Sequence, residues 1–400
     1  MKSTKPQHSN KQSKRGSALE SLLHSEHTAE IEKLVVGGQG LARIQYQDKF
    51  LVVFIPRTAP QEQVRFRITH VEKNHLQAEV VQVLRPSPSR REAPCDYFTN
   101  CGGCSWQHIT ETEQLKQKEL ILQDLFKKFI PDVAYELLPS VSSENSFHYR
   151  NRIQLKQLGT ELGYFRRGSH EIVDINHCLI AEKEISDRIP ELKQKLKPAK
   201  ELRKFELRIN HLNQFEHYPI GGDGEGLSFS QVNNKVNEKL VATALQLIVQ
   251  KNPKSLSELY AGAGNFTFPL LQALPDLHIE SAEMNPKLTA FATEKLKNLK
   301  LQKRLFAFTT DCESFVQRRQ LSSEVVFLDP PRAGCSEQVI QKIIHSDART
   351  ILYISCHPVF LARDLHKIFA AKPDYRLTHT QIFDMFPQTD HFETLVMLSK

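Results

Sequence analysis

The sequence lacks any long hydrophobic run. Its aliphatic stretches, such as 325–328 and 351–354, are four residues long and are closed by Asp329 and Ser355, whereas a membrane-spanning helix needs about 20 apolar residues. A helical membrane protein is excluded, and a soluble chain is expected. Between Met1 and Arg15 there is no apolar stretch to form a signal-peptide core, so the expected location is the cytoplasm. Cysteine is scarce at seven in 400 residues. In a reducing compartment these are poor disulfide candidates, which leaves them unpaired, catalytic or metal-bound. Acid is missing before Glu20, while Lys2, Lys5, Lys11, Lys14 and Arg15 fall among Ser, Gln and Asn. Such a segment cannot bury enough surface to fold, so residues 1–26 are expected to be a basic disordered tail, either inert or attracting phosphate.

What is present argues for folded domains. A 40% hydrophobic content excludes a wholly disordered chain, and 400 residues suffice for two or three domains. The excess of 53 basic over 46 acidic residues, a net +7, permits a nucleic-acid partner without requiring one. From His27 to Leu84, short β-rich runs alternate with turns: Glu30 to Val36, a Gly37-Gly38-Gln39-Gly40 turn, Leu41 to Ile44, Phe50 to Ile55, Gln63 to Val71 and Leu76 to Leu84. Five strands after a Gly-rich turn predict a small β-barrel over 27–87 of the kind that binds single-stranded nucleic acid. Arg65, Arg67, Lys73, Arg85, Arg90 and Arg91 are its candidate contacts, unless they are merely solvated. A mixed α+β domain is expected over 88–225, with a periodic helix from Thr110 to Phe129, strands at Tyr149 to Lys156, Leu162 to Phe165 and Glu206 to Asn210, and a helix from Ile185 to Lys195. Beyond Gly226, helices and short strands alternate. This pattern predicts a doubly wound, mostly parallel α/β sheet over 226–400.

The predicted strand 255–260 runs into Ala261-Gly262-Ala263-Gly264-Asn265-Phe266-Thr267 and a helix. Glycines at the carboxyl end of a first strand let a ligand approach the backbone. Glu283 follows Gly262 by 21 residues, close to the spacing that places a carboxylate on a ribose hydroxyl, and Asp311 ends the third strand. The full GxGxxG is absent, because Thr267 stands at its last position. That favours S-adenosylmethionine, which has no phosphate, over a dinucleotide. The fourth strand ends in Asp329-Pro330-Pro331-Arg332. Amino-methylating enzymes of this general fold place an aromatic where Arg332 stands, so the methyl acceptor should not be an exocyclic amine.

One strand later comes Ser355-Cys356-His357-Pro358, with a cysteine at a strand's carboxyl end on the face expected to hold the cofactor. Carbon 5 of uracil is a poor nucleophile. An enzyme that methylates it needs a thiolate to add at carbon 6 and a base to take the carbon-5 proton. Near the chain's end, Glu393 falls just before the apolar final strand, where a carboxylate could enter the same cleft.

Taken together, these residues resemble the S-adenosylmethionine-dependent RNA uracil-5-methyltransferases, which modify ribosomal or transfer RNA. The resemblance runs from a TRAM-type barrel at 27–87 through FSQVN at 229–233, GAGNFT at 262–267, DPPRAG at 329–334, SCHP at 355–358 and DMFPQTDHFE at 384–393. It implies a Rossmann-like class I methyltransferase domain behind a TRAM/OB-type barrel and a mixed α+β central domain. It implies Cys356 as the nucleophile, Glu393 as the base, and Gln231, Tyr260, Asn265, Glu283, Asp311 and Asp329 as cofactor-contacting positions. Two positions depart from the family pattern: Asn usually stands where His357 does, and often where Asp311 does.

Cys95, Cys101 and Cys104 are separated by five and two residues, and 73 residues intervene before Cys178. By spacing alone the four are a metal-site candidate, with zinc or an iron–sulfur cluster as the alternatives. The segment CGGC followed by Gln107, with a later Cys after Val173-Asp174-Ile175, resembles the members of this family that carry a 4Fe-4S cluster, which favours iron. The CxxxCxxC spacing of radical S-adenosylmethionine enzymes is absent. The resemblance favours ribosomal RNA, specifically a 23S uridine, over transfer RNA, and no obligate protein partner is evident. The rivals are an RNA-binding protein with an inactive methyltransferase-like domain and a cytosine-5-methyltransferase. The first is disfavoured by the retained Cys356, Glu393 and Asp329. The second is disfavoured because such enzymes place Pro-Cys or Thr-Cys at the nucleophile.

Overall fold

The computed structural model describes residues 19–210, 212–220 and 231–400. Of the tail expected over residues 1–26, residues 1–18 lie outside them, as do the expected boundary at Gly226 and the first two residues of FSQVN; the rest of that segment is ordered, with Leu22 buried in the barrel core and β1 beginning at Glu26. The chain divides into two compact units. One holds the described residues up to Pro94 together with Cys104–Gln117, and the other holds Cys95–Gly103 and the described residues from Lys118 on.

The first unit is built on β1 (Glu26–Glu30), β2 (Lys33–Leu34), β3 (Gly40–Tyr46), β4 (Lys49–Ile55), β5 (Gln63–Val71) and β6 (Leu76–Arg85), in the order β1-β5-β6-β4-β3-β2. In β5, Val64, Phe66 and Ile68 point inward while Gln63, Arg65 and Arg67 point outward, the period of two that a half-buried strand requires. Ile31, Ala42, Val53 and Ile55 complete the core. The run Glu30–Val36, expected as one strand, breaks at residue 31. There the backbone changes partner: Ile31 N–H donates to the Glu62 carbonyl and Glu32 N–H to Leu41. Gly37 and Gly38 make the following turn with φ of 91° and 76°, and the indole N–H of Trp106 donates to the Gly38 carbonyl at 3.0 Å.

Helix α1 (Glu111–Phe129) contains the division between the units. In the second unit, β7 (Arg152–Gly159), β8 (Glu161–Phe165), β9 (Ile172–Asp174), β10 (Ala199–Ile209) and β11 (Phe215–Ile220) form an antiparallel sheet ordered β11-β10-β7-β8-β9. The helix expected over Ile185–Lys195 is two short ones, α2 (Lys183–Ser186) and α3 (Ile189–Lys195). Pro190 has no N–H to give to a preceding turn and fits only in the first turn of a helix, so a new helix starts around it.

The rest of the second unit is a Rossmann-like sheet of β12 (Ser255–Leu259), β13 (His278–Glu283), β14 (Leu305–Thr309), β15 (Val325–Leu328), β16 (Thr350–Ser355), β17 (Arg376–Phe383) and β18 (Glu393–Ser399). Their order is β14-β13-β12-β15-β16-β18-β17, with β18 antiparallel to both neighbours and the first five parallel. The helices of this part are α4 (Asn234–Lys251), α5 (Thr267–Ala273), α6 (Pro286–Asn298), α7 (Cys312–Arg318), α8 (Glu337–Ile344) and α9 (Pro358–Ala371). Every residue of β15, β16 and β18 is buried, as in a sheet covered on both faces. Strand order reverses between β12 and β15, which opens a crevice at their carboxyl ends, where such sheets bind ligands. The expected mixed α/β class, with a β-rich first part and a Rossmann-like last part, is the class observed. Among the described residues no helix is long and apolar enough to cross a membrane.

Candidate active site

The crevice is shaped first by the turn after β12. Tyr260, Gly262 and Gly264 all adopt left-handed φ, at 65°, 57° and 82°. A side chain on Gly264 would come within 2.5 Å of the Phe268 ring, so only glycine lets the turn pack onto α5. Glu283, ending β13, fastens this turn: it accepts from Gly262 N–H at 2.9 Å and, through its other oxygen, from Asn285 N–H at 2.7 Å. Between these elements lies a cleft lined by Gly262, Gly264, Thr267, Glu283, Ala307 and Phe308, among others.

Of the other expected cofactor positions, Asn265, Asp311 and Asp329 follow the ends of strands in this sheet, whereas Gln231 precedes α4. Asn265 is exposed on the turn and exchanges amide hydrogen bonds of 3.0 Å with Asn237. Asp311 follows β14 as the N-cap of α7, accepting from Ser314 N–H at 2.8 Å, and this bond holds its carboxyl below the usual range. Gln231 is buried ahead of α4, its carbonyl receiving the Asn151 amide at 3.0 Å. Asp329 ends β15. Sequence reasoning missed Ala307 and Phe308. Only their place near the end of the third strand marks them, without a polar or glycine signal.

The second half of the crevice is set by register. Ser355 of β16 pairs with Thr394 of the antiparallel β18, so the next pair along, Cys356 and Glu393, stand opposite each other at one end of the sheet. Leu328 pairs with Tyr353, which brings Asp329 to the same end. These groups feel one another. Burial pushes the Cys356 thiol up to about 12, Glu393 and Asp329 push the same way, and the Arg332 guanidinium opposes them. Glu393 is 3% exposed, and its Oε2 has no hydrogen-bond partner. Burial and then Asp329 raise it well above the usual carboxylate range, against the pull of Arg332. Asp329 is raised to about 7 by burial. Behind it, burial and the charge of Asp329 raise Glu258 to about 8, although the Thr267 hydroxyl donates to it at 2.5 Å. His357, in the position where the family usually has Asn, is held below the usual imidazole range by burial and by Arg332, and its ring lies 4.7 Å from that of Phe360. A thiol, an under-bonded carboxylate and a cation thus act on one another at this end of the sheet.

The cysteine segment is a separate feature. Among the described residues no cysteine is paired in a disulfide, and no group of three or more His, Cys, Asp or Glu side chains is arranged to hold a metal ion. Even so, Cys101, pushed up to about 11 mainly by burial, also feels the charges of Cys178 and Cys95. Gly103 N–H donates to the Cys101 sulfur at 3.4 Å, and the Tyr164 hydroxyl lies 3.8 Å from the Cys178 sulfur. Thiolates with such donors suit a soft metal or iron–sulfur cluster in chemistry.

The barrel arginines expected as RNA contacts are engaged within their own unit. Arg67 pairs with Glu26 at 2.7 Å, Arg85 with Glu30 at 2.9 Å and Arg91 with Glu111 at 2.8 Å, while Arg65 lies 3.9 Å from Glu26. Arg90 binds the buried Glu62.

Comparison with known proteins agrees with this chemistry. The family described as tRNA (Uracil-5-)-methyltransferase matches residues 224–400. The chain is 43% identical over 384 residues to an uncharacterized RNA methyltransferase of Bdellovibrio bacteriovorus, covering 94% of this chain and 96% of the relative. It is 27% identical to the 23S rRNA (uracil(1939)-C(5))-methyltransferase RlmD of Francisella tularensis subsp. novicida, over 93% of this chain and 96% of that one. The crystal structure of a Pyrococcus abyssi tRNA (uracil-54, C5)-methyltransferase in complex with S-adenosyl-L-homocysteine shares the fold, with a TM-score of 0.68 at 21% identity over 93% of this chain and 100% of that one. With relatives this similar along nearly its whole length and the family match over its last part, the chain belongs to the S-adenosylmethionine-dependent RNA uracil-5-methyltransferases.

Proposed function

We propose that the protein methylates carbon 5 of a uridine in 23S ribosomal RNA, with Cys356 adding to carbon 6 and Glu393 removing the carbon-5 proton. The observation that carries this reading is the opposition of Cys356 and Glu393 across β16 and β18, beside Asp329. Ribosomal RNA is favoured by the near full-length similarity to a 23S rRNA methyltransferase. Gln231, Tyr260, Asn265, Glu283, Asp311 and Asp329 are the residues that would hold S-adenosylmethionine, around the cleft on β12, β13 and β14. When bound there, the cofactor supplies an electrophilic methyl carbon.

The protein's own groups do the rest. Cys356 gives its proton to solvent as its sulfur bonds to carbon 6, and the electron pair of the C5=C6 bond, displaced onto carbon 5, makes that carbon nucleophilic. Once carbon 5 is methylated, Glu393 takes its remaining proton, the double bond re-forms, and the carbon–sulfur bond breaks to return the thiolate. The vacant Oε2 of Glu393 suits this role, because no hydrogen bond must break before it accepts. Residues 27–87 would guide the RNA with exposed ion pairs that phosphates can replace, since such pairs contribute only about 0–1 kcal/mol. The resemblance of the CGGC segment to cluster-carrying members of the family supports a 4Fe-4S cluster on Cys95, Cys101, Cys104 and Cys178.

Two variants test the mechanism. Cys356→Ala should fold, bind RNA and fail to be trapped covalently by RNA carrying 5-fluorouridine at the target, whereas the unmodified protein is trapped. Glu393→Gln should accumulate a methylated covalent adduct on natural uridine, seen as a slow radiolabelled band on a denaturing gel. Trapping of the alanine variant, or normal turnover by the glutamine variant without a band, would refute the assignments. Mapping 5-methyluridine in 23S rRNA and tRNA from cells lacking the protein decides the RNA: a 5-methyluridine lost from tRNA alone would overturn the ribosomal reading.

A further inference from the structure

The loop from Asp329 to Cys335 carries two of the charged groups that act on Cys356, and it lies tightly against α9, the helix into which the nucleophile strand runs. Gly334 has φ of 74°, and a side chain there would meet Phe360 Cβ at 2.9 Å and both Arg363 Nη2 and Asp364 Oδ2 at 3.0 Å. Its N–H donates to the Pro331 carbonyl at 2.8 Å, closing the turn that contains Arg332.

Asp364 is the fastening point. It has no exposed surface. Its Oδ2 accepts from Cys335 N–H at 3.0 Å and from the Tyr353 hydroxyl at 2.8 Å, and its Oδ1 accepts from Arg363 Nε at 2.8 Å. Arg363 also donates to the Cys335 carbonyl at 3.0 Å. Tyr353 lies on β16 three residues before Cys356. Its hydroxyl and that of Tyr260, at the end of β12, both bear on the Cys335 sulfur. One buried polar network therefore joins the cofactor strand, the loop, the nucleophile strand and α9. A buried carboxylate is costly unless every partner is in place, so the network has a narrow geometry and holds the loop in it.

We propose that Asp364 is a positioning residue for methyl transfer, holding on α9 the Asp329–Cys335 loop that carries Arg332, the cation acting on Cys356. Arg332 is the cation that favours the thiolate, against Glu393 of β18 and Asp329 of its own loop. Without the tie at Asp364, the exposed turn carrying Arg332 can swing away and the thiolate loses its counter-charge. The consequence for turnover rests on the reading of Cys356 as the nucleophile. The effect on the thiol itself does not.

The test follows alkylation of Cys356 by iodoacetamide, read by mass spectrometry of its peptide between about pH 7 and pH 10, in the full-length protein. S-adenosylhomocysteine binding is measured alongside by calorimetry. Tyr353→Phe, which removes one hydroxyl, and Asp364→Asn should each slow alkylation at about pH 9 roughly tenfold, since loss of a nearby opposite charge moves a titration by one unit or more. Arg332→Ala should slow it equally, and adding Tyr353→Phe to Arg332→Ala should slow it no further. If Asp364→Asn does not fold, Tyr353→Phe with Arg332→Ala decides the matter. Alkylation profiles that superimpose on the unmodified protein would overturn the proposal, even if thermal stability fell. Should 5-fluorouridine trapping survive in Cys356→Ala, the nucleophile assignment fails while the alkylation result still reports on the loop.

Discussion

Replacing Lys118 should cost more stability than any surface change in this protein and should reach the active site. Lys118 on α1 is fully buried; its ammonium donates to Asp384 Oδ1 at 2.6 Å and to the Phe386 carbonyl at 3.2 Å. Asp384 opens the segment that ends at Glu393, so this bond fixes one end of the chain that delivers the base. Lys118→Met keeps most of the stem volume but leaves a buried carboxylate without its cation. Breaking a buried pair in this way costs about 3–5 kcal/mol, which at ~2–4 °C per kcal/mol for a domain of this size lowers the thermal midpoint by roughly 10 °C. The double variant Lys118→Met/Asp384→Leu removes both charges and should recover at least half of that loss. Urea and thermal unfolding of the three proteins, with 5-fluorouridine trapping as a site readout, make the comparison. A single variant within 1 kcal/mol of the unmodified protein would refute the reasoning, as would a double variant costing as much as the single.

Two further outcomes follow from the buried acids and sulfurs. Glu258 is raised from the ordinary 4.5 to about 8, so the folded protein holds its proton longer than the unfolded chain does. Stability should therefore fall as pH climbs between those values, by up to about 5 kcal/mol. Glu258→Gln should flatten that slope, and parallel pH curves for the two proteins in urea would refute it. Protein purified anaerobically should be brown and contain iron and sulfide, and Cys101→Ser or Cys104→Ser should lose the colour and the iron together. Stoichiometric zinc without iron would overturn the cluster.

The parts of the site legible in the sequence are those where a strand's end is marked by its own chemistry. Gly262 and Gly264 mark the end of β12, Asp329-Pro330-Pro331 that of β15 and Cys356-His357-Pro358 that of β16, because a ligand-facing turn needs glycine, proline or a reactive side chain. Register is another matter. That Cys356 faces Glu393 depends on β18 running antiparallel between β16 and β17, and β17 has no clean alternation across Thr378, His379, Thr380 and Gln381. The barrel arginines show the same limit. Arg67 and Glu26 are 41 residues apart, and only the pairing of β1 with β5 makes them partners. Asp364 and Glu258 lie within ordinary helix and strand patterns, and nothing local signals that each is buried and bonded.

The shared cause of the raised values at Cys356, Glu393, Asp329 and Glu258 is exclusion of water, and it orders the chemistry. A thiol near 12 stays protonated at neutral pH, so the resting protein does not present a strong nucleophile to solvent. On the proposed mechanism the thiolate must form as uracil enters, when the substrate's electron-poor ring takes up the developing charge and Arg332 stands beside it. The thiol proton and the carbon-5 proton leave at different moments, and two acids of different strength are at hand. Burial raises Asp329 to about 7, and burial and then Asp329 hold Glu393 well above the usual carboxylate range. Their mutual repulsion favours a single shared proton. For Glu393 to accept the carbon-5 proton the shared proton must sit on Asp329 at that moment, and Arg332, which pulls Glu393 toward its ionised form, favours that arrangement.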